Sequence, residues 1–172
     1  MMISRRVEGT VRNWPQMNTD RHGFKHKEIT EKTIGVFYEV YNELGHGFLE
    51  SVYEKSFEIA LTSIGLTVCR QIEIPVWFRG HQVGAFTADM LVEGSVLLEL
   101  KAARALDVSH QAQLLNYLRA TEIEVGLLFN FGLKPEFKRL IFDNPRKSIR
   151  GKPGISIADL LIADDRVDVT SG

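Results

Sequence analysis

Three charged residues lie within two segments of the sequence that are otherwise apolar. Asp89 follows Phe-Thr-Ala, and Glu99 and Lys101 lie in the run Val-Leu-Leu-Glu-Leu-Lys. Residues two apart on a strand point to the same face of a sheet, so Glu99 and Lys101 are predicted neighbours. If the intervening turn is centred on Gly94, the two strands pair with Asp89 directly opposite Glu99. The pattern therefore predicts two carboxylates and one ammonium on one face of a sheet.

The charges of this group need compensation if the group is buried. The carboxylates of Asp89 and Glu99 repel each other, and Lys101 neutralises only one of them. A divalent cation would neutralise the remainder, and hard carboxylate oxygens favour Mg²⁺ or Mn²⁺ over Zn²⁺. Such a cation polarises a phosphoryl oxygen and acidifies a bound water, and a neighbouring lysine orients that water. The group therefore predicts metal-assisted hydrolysis of a phosphate ester.

Further polar residues can be placed around this centre. Glu50 lies one turn before Tyr53, on or beside the buried face of a predicted helix, where it would supply a third carboxylate. Gln113 and Tyr117 are four residues apart and share one face of a later helix, with His110 one turn earlier. These side chains could hydrogen-bond a ligand, a water or a phosphate. Taken singly, each residue is more often an ordinary surface or core residue, and only the ordered set is specific.

The periodicity of the apolar residues predicts the elements that position this set. Two helices and then three strands are predicted over residues 34–44, 49–64, 68–78, 83–92 and 96–101. A third helix and two further strands are predicted over residues 109–120, 125–129 and 137–142. On the first strand, one shared face is predicted for the even-numbered residues Val68, Ile72, Ile74, Val76 and Phe78. The order predicts an α/β fold with a mixed sheet flanked by helices.

Length and composition favour one folded domain between two flanks. The chain has 172 residues, of which 44% are apolar and 25% charged, and this excludes collagen-like, wholly disordered and disulfide-framework proteins. A lone Cys69 excludes a Cys-rich metal site, and no stretch has the apolar length of a membrane span. We expect a loose basic arm over 1–26, a folded body over 27–142 and a largely irregular tail over 143–172. The first ten residues contain no apolar run typical of a secretory signal, which favours a cytoplasmic location.

Charge is distributed unevenly along the chain. The formal net charge is −1, but residues 1–27 and 133–152 are basic, whereas residues 28–132 are acidic. A strongly basic overall balance, which would indicate a nucleic-acid partner directly, is missing. Bound cations and the basic flanks would therefore have to supply the attraction to a polyanion. The alternative is that the flanks are simply solvated.

The ordered set resembles the PD-(D/E)XK nuclease superfamily, especially its RecB-like branch. The resemblance rests on the order helix, three strands, helix, strand together with Asp89, Glu99-x-Lys101 and Gln113-x-x-x-Tyr117. The proline in the name of the superfamily is replaced here by Ala88, at a position that is tolerant in related nucleases.

A second motif resembles a narrower group within that superfamily. The segment Gly47-Phe-Leu-Glu50-Ser-Val-Tyr53 resembles the signature of the GxxExxY family, as do the segments over 88–92, 98–101, 113–118 and 126–132. The resemblance covers residues 27–142.

The resemblance implies a restriction-endonuclease-like core and a Mg²⁺- or Mn²⁺-dependent nuclease that hydrolyses phosphodiester bonds, with DNA as the expected substrate. The ligands that it implies for the metal are the side chains of Glu50, Asp89 and Glu99 and the carbonyl of Leu100. It also implies that Lys101 positions or activates water. Gln113 and Tyr117 would support the site or contact the substrate backbone.

Two alternatives stay open. The first is a non-catalytic nucleic-acid-binding or scaffold subunit on the same fold, and the second is a structural protein in which Asp89 and Lys101 form only an ion pair. The sequence also leaves open DNA against RNA, endonuclease against exonuclease, and a homodimer or larger complex against a lone chain. No membrane contact is expected.

Overall fold

The computed structural model describes residues 25–144, and these contain three helices and five strands. The helices are α1 (Lys27–Leu44), α2 (Glu50–Ser63) and α3 (Val108–Ala120). The strands are β1 (Val68–Phe78), β2 (His81–Val92), β3 (Val96–Lys101), β4 (Val125–Phe131) and β5 (Pro135–Ile141). No helix in this part of the chain is long and apolar enough to cross a membrane.

The five strands form one mixed sheet in which the spatial order equals the sequence order. The pairs β1–β2, β2–β3 and β4–β5 are antiparallel, because tight turns join their strands. The pair β3–β4 is parallel, because α3 crosses over between the two strands. The predicted mixed sheet flanked by helices is therefore confirmed.

The helices cover both faces of the sheet and divide the core into two layers. Residues of α1 and α2 pack with Leu98 and Leu100 on one face, where the ring of Phe37 stacks on that of Phe129 at 4.6 Å between centroids. Residues of α3 pack with Leu97 on the other face. All seven residues of β4 are buried, and its apolar run over 125–129 predicts this burial for a central strand.

The alternation along β1 differs from the prediction of a single even-numbered face. Val68 packs on the α1 and α2 side, whereas Ile72 and Ile74 pack on the α3 side. The reversal occurs at Gln71, whose φ of 52° lies in the left-handed region and interrupts the pairing of β1 with β2. The predicted common face was therefore wrong, because the alternation of side chains holds only where the backbone stays extended.

The two ends of the described part of the chain meet beside the start of β4. The ammonium of Lys25 lies 2.8 Å from a carboxylate oxygen of Glu124 and 3.1 Å from one of Asp143. Most of the predicted arm over 1–26 and of the tail over 143–172 lies outside the described residues. The domain boundaries therefore stay a prediction.

Candidate active site

Glu99 and Lys101 form a buried ion pair on β3. They alternate with Leu98 and Leu100, which pack under α1 and α2, so the two charged side chains point to the opposite face of the strand. Lys101 Nζ donates to Glu99 Oε1 at 2.7 Å, and the side chains are only 15% and 3% exposed. The alternative of a purely structural protein predicted an ion pair between Lys101 and Asp89, but the salt-bridge partner of Lys101 in the structure is Glu99.

Asp89 lies where β2 and β3 separate. The hairpin turn places Met90 opposite Leu98, which is the predicted register, and the backbone pairing between the strands ends there. One residue further on, Asp89 Oδ2 accepts a hydrogen bond from the Leu100 N–H at 2.7 Å. The carboxylate thus takes the place of a backbone acceptor, which holds it beside Glu99.

Glu50 approaches the same end of β3 from the first residue of α2. Its Oε1 accepts a hydrogen bond from the N–H of Ala102, the residue after the strand, at 3.2 Å. Its charge also raises the pKa values of Asp89, Glu99 and Lys101, among other causes. The structure therefore brings all three predicted carboxylates and the lysine into one electrostatic group.

Burial and mutual repulsion favour the protonated forms of the two central carboxylates. Burial raises the pKa of Asp89 to about 6, against the opposing effect of the hydrogen bond from Leu100. Burial, followed by the charge of Asp89, raises the pKa of Glu99 to about 7. For Lys101, burial lowers the pKa, but the hydrogen bond and the charge of Glu99 outweigh it, so the pKa is raised. When both carboxylates are ionised, the site therefore has more negative charge than its one ammonium compensates.

The donor set fits a hard divalent cation, and one of its atoms lacks a partner. Glu99 Oε2 is buried and has no hydrogen-bond partner within residues 25–144. A buried carboxylate oxygen of this kind is costly, and a cation would compensate it. Oxygen donors of this chemistry suit Mg²⁺ or Mn²⁺.

The carboxylates do not converge on one point. Among the described residues, no three His, Cys, Asp or Glu side chains are arranged to hold a metal ion. Glu50, Asp89 and Glu99 each have one carboxylate oxygen engaged by an N–H or ammonium group, which leaves the second oxygen of each side chain for a cation. Leu100 lies between Glu99 and Lys101, and the role of its carbonyl stays a prediction.

Gln113 and Tyr117 connect α3 to β2 near the charged centre. Gln113 Nε2 donates to the hydroxyl oxygen of Tyr117 at 2.6 Å, and that hydroxyl donates to the carbonyl of Thr87 at 3.1 Å. Tyr117 is buried, and burial followed by the charge of Glu99 raises its pKa to about 12. It therefore contacts the backbone of β2 two residues before Asp89.

His110 has a structural role in the described part of the chain. Its Nδ1 accepts a hydrogen bond from the N–H of Asp107 at 3.2 Å, and the Asp107 carboxylate accepts from the N–H of His110. This reciprocal arrangement caps the first turn of α3.

A fourth acid near the site was missed by sequence reasoning. Glu54 is buried, and its Oε1 accepts hydrogen bonds from Arg70 Nε and Gln71 Nε2, both at 2.9 Å. Its charge is one of the causes that raise the pKa of Asp89. Its position four residues after Glu50, on the same helix face, was the available signal.

Comparison with known proteins identifies the fold family. A sequence profile described as the PD-(D/E)XK nuclease superfamily matches residues 27–140. No curated protein matches the chain. The chain is similar to a solved structure described as "Crystal structure of SSO0001", at 15% identity and a TM-score of 0.39, over 81% of this chain and 65% of that one. The chain thus spans less than two thirds of that protein's length.

The profile match includes all the residues of the charged centre described above. The mixed sheet flanked by helices is the restriction-endonuclease-like arrangement expected of such a core. Because the matched range covers well over half of the sequence, the chain belongs to the PD-(D/E)XK nuclease superfamily.

Proposed function

We propose that this protein is a Mg²⁺- or Mn²⁺-dependent nuclease that hydrolyses phosphodiester bonds of DNA, as a GxxExxY-type member of the RecB-like branch. The observation that carries the proposal is the buried group of Asp89, Glu99 and Lys101, in which one oxygen of Glu99 has no partner among the described residues. An uncompensated buried group of this kind is unfavourable until a ligand compensates it, and such groups cluster at functional sites.

The metal would be held by Glu50, Asp89, Glu99 and the carbonyl of Leu100. When bound, it would polarise a phosphoryl oxygen and lower the pKa of a water molecule.

The site residues have separate parts in the proposed reaction. The Lys101 ammonium, held by Glu99, donates to the attacking water or to the negative charge that develops on the phosphate. Asp89 keeps its orientation through the N–H of Leu100, and Tyr117 with Gln113 fixes the strand before it. The basic flanks predicted from the sequence would supply attraction to the DNA backbone.

The test is cleavage of supercoiled plasmid and end-labelled oligonucleotides by the full chain with Mg²⁺ or Mn²⁺. We expect Asp89→Asn and Lys101→Ala to lower the rate by about 100-fold or more, because each removes a group that acts on the reacting phosphate. Lys32→Ala is the matched control, because Lys32 is exposed on α1 and pairs only with Glu28 in the described structure. Full activity in both site variants would refute the mechanism.

One observation favours a non-catalytic nucleic-acid-binding subunit as the second candidate. The three carboxylates do not converge in the described structure, and such an arrangement fits a subunit that binds nucleic acid without a metal. Calorimetric titration with Mn²⁺ separates the two candidates. Binding that is lost in Glu99→Gln supports the nuclease, and no binding by the wild-type protein supports the subunit.

A further inference from the structure

The connection between β3 and α3 presents one long cationic side chain among alanines. Its sequence after Lys101 is Ala-Ala-Arg-Ala, and Arg104 is exposed to solvent. No residue of the 25–144 range forms a hydrogen bond or an ion pair with the Arg104 side chain. Because the guanidinium has no such partner in the described part of the chain, it is available for a ligand.

The backbone on both sides of Arg104 is held in place. Ala103 exchanges two hydrogen bonds with the buried side chain of Asn130, since its N–H donates to Oδ1 at 2.9 Å and its carbonyl accepts from Nδ2 at 3.0 Å. Two residues after Arg104, the N–H of Leu106 donates to Glu136 Oε2 at 3.2 Å. The loop therefore presents its guanidinium from a fixed backbone.

Close packing against the end of β4 adds to this restraint. A Cβ atom at Gly132 would collide with the carbonyl oxygen of Ala103. Gly132 follows the apolar strand directly, so glycine is needed there for the loop to lie against the sheet.

This loop adjoins the charged centre. Ala102 donates its N–H to the carboxylate of Glu50, and Arg104 follows Lys101 by three residues, at most about 11 Å of chain. The centre itself contains more acidic than basic side chains, so it repels the flanking phosphates of any nucleic acid. A cation beside the centre supplies the attraction that the centre lacks.

We propose that Arg104 binds the phosphate adjacent to the one that is cleaved. This inference rests on the proposed nuclease function and adds a substrate-binding residue to it. The planar guanidinium donates two parallel N–H groups to one phosphate, and the held loop limits the entropy lost on binding.

The test measures DNA binding without hydrolysis. The full chain is titrated in EDTA against short fluorescein-labelled single-stranded and duplex DNA, at several salt concentrations, by fluorescence anisotropy. We expect Arg104→Ala to lower the affinity about tenfold and to reduce the slope of log K against log salt by about 1, because one phosphate contact is lost. Arg104→Lys keeps the slope but recovers only part of the affinity, because lysine lacks the paired donors.

Two controls separate this contact from general charge and from folding. Arg119→Ala removes an exposed arginine at the far end of α3, whose guanidinium lies 5.4 Å from the centroid of the Phe142 ring. We expect this variant to have the salt slope of the wild type. Thermal melting of Arg104→Ala matches that of the wild type. With Mg²⁺ present, Arg104→Ala raises KM about tenfold and changes kcat less than about twofold, since the contact is made equally in ground and transition states.

The outcomes distinguish this inference from the proposed function. A wild-type salt slope in Arg104→Ala overturns the inference even if the protein cleaves DNA. Wild-type protein that does not cleave DNA, but has an Arg104-dependent salt slope, refutes the reaction and leaves the phosphate contact standing. Wild-type protein that neither binds DNA in EDTA nor cleaves it with Mg²⁺ or Mn²⁺ overturns both.

Discussion

Glu99 is the residue of the centre whose charge is least favourable in the folded chain. Its side chain is 3% exposed, and burial together with the charge of Asp89 raises its pKa from 4.5 to about 7. The folded protein therefore holds this proton more tightly than the unfolded chain does. Without metal, the contribution of Glu99 to the free energy of unfolding is greatest below about pH 4.5 and falls as the pH rises through about 7.

Removal of this charge should stabilise the metal-free protein. We expect Glu99→Gln to raise the free energy of unfolding by about 1–3 kcal/mol at pH 8, and to change it little at pH 5, where Glu99 is already protonated. Urea unfolding in EDTA at the two pH values measures the difference. Glu73→Gln, at an exposed position of β1, is the control and should change the free energy of unfolding by less than about 0.5 kcal/mol. A destabilised Glu99→Gln protein at pH 8 would contradict the pKa shift.

At the residue scale, the sequence predicted the neighbours but not every partner. Alternation on β3 predicted that Glu99 and Lys101 are neighbours, and they share a hydrogen bond. The turn at Gly94 has the predicted register of Met90 with Leu98, but the pairing ends there, so the predicted direct pair of Asp89 with Glu99 is not formed. The choice of Glu99 as the partner of Lys101 depended on Asp89 being held by the N–H of Leu100. That hydrogen bond crosses between strands where their backbone pairing ends, and no local pattern predicts such an end.

Among the elements, α2 and β1 are joined by a network at the bulge beside the site. Arg70 donates from Nε to Glu54 and from Nη1 to Glu58, at 2.9 and 3.1 Å, and Gln71 donates to Glu54 as well. Because Gln71 turns toward α2, β1 does not pair with β2 opposite Asp89. The network therefore opens the sheet where the Asp89 carboxylate lies.

The buried half of this network should contribute more stability than its exposed half. We expect Arg70→Met to lower the free energy of unfolding by about 1–3 kcal/mol, because it leaves the Glu54 carboxylate, 9% exposed, with only the Gln71 amide. Glu58→Gln is the matched control, and since its side chain is 34% exposed we expect a change of less than about 1 kcal/mol. Equal losses in the two variants, by urea unfolding, would show that burial of Glu54 is unimportant.

For the molecule as a whole, metal binding should raise the free energy of unfolding. A ligand that binds only the folded state adds about 2.7 kcal/mol at a concentration of 100 times its Kd. We expect Mn²⁺ to raise the melting temperature more at pH 8 than at pH 5.5, because protons compete for Asp89 and Glu99 at the lower pH.

The matched variant for this measurement is Asp89→Asn. It keeps the size of the side chain and removes one proposed ligand charge, so the Mn²⁺-dependent rise in melting temperature should disappear. The same rise in the wild type and in this variant would place the metal elsewhere. Differential scanning calorimetry with and without EDTA makes the comparison.

Local information in the sequence determined the elements, their order and the types of residue at the centre. Periodicity predicted three helices and five strands, because burial of one face imposes a spacing on each element. The profile match over residues 27–140 agrees with the motif resemblance to the PD-(D/E)XK nuclease superfamily.

Only the tertiary structure decided the contacts that depend on irregular backbone. The reversal of β1 at Gln71, the burial of Glu54 and the clamp of Asn130 on Ala103 join residues far apart in the chain. Each arises where regular pairing or alternation stops, and a pattern that assumes regular geometry contains no signal for it. The physical reason is that hydrogen-bonding groups released by such interruptions take whichever partner the packed elements bring near.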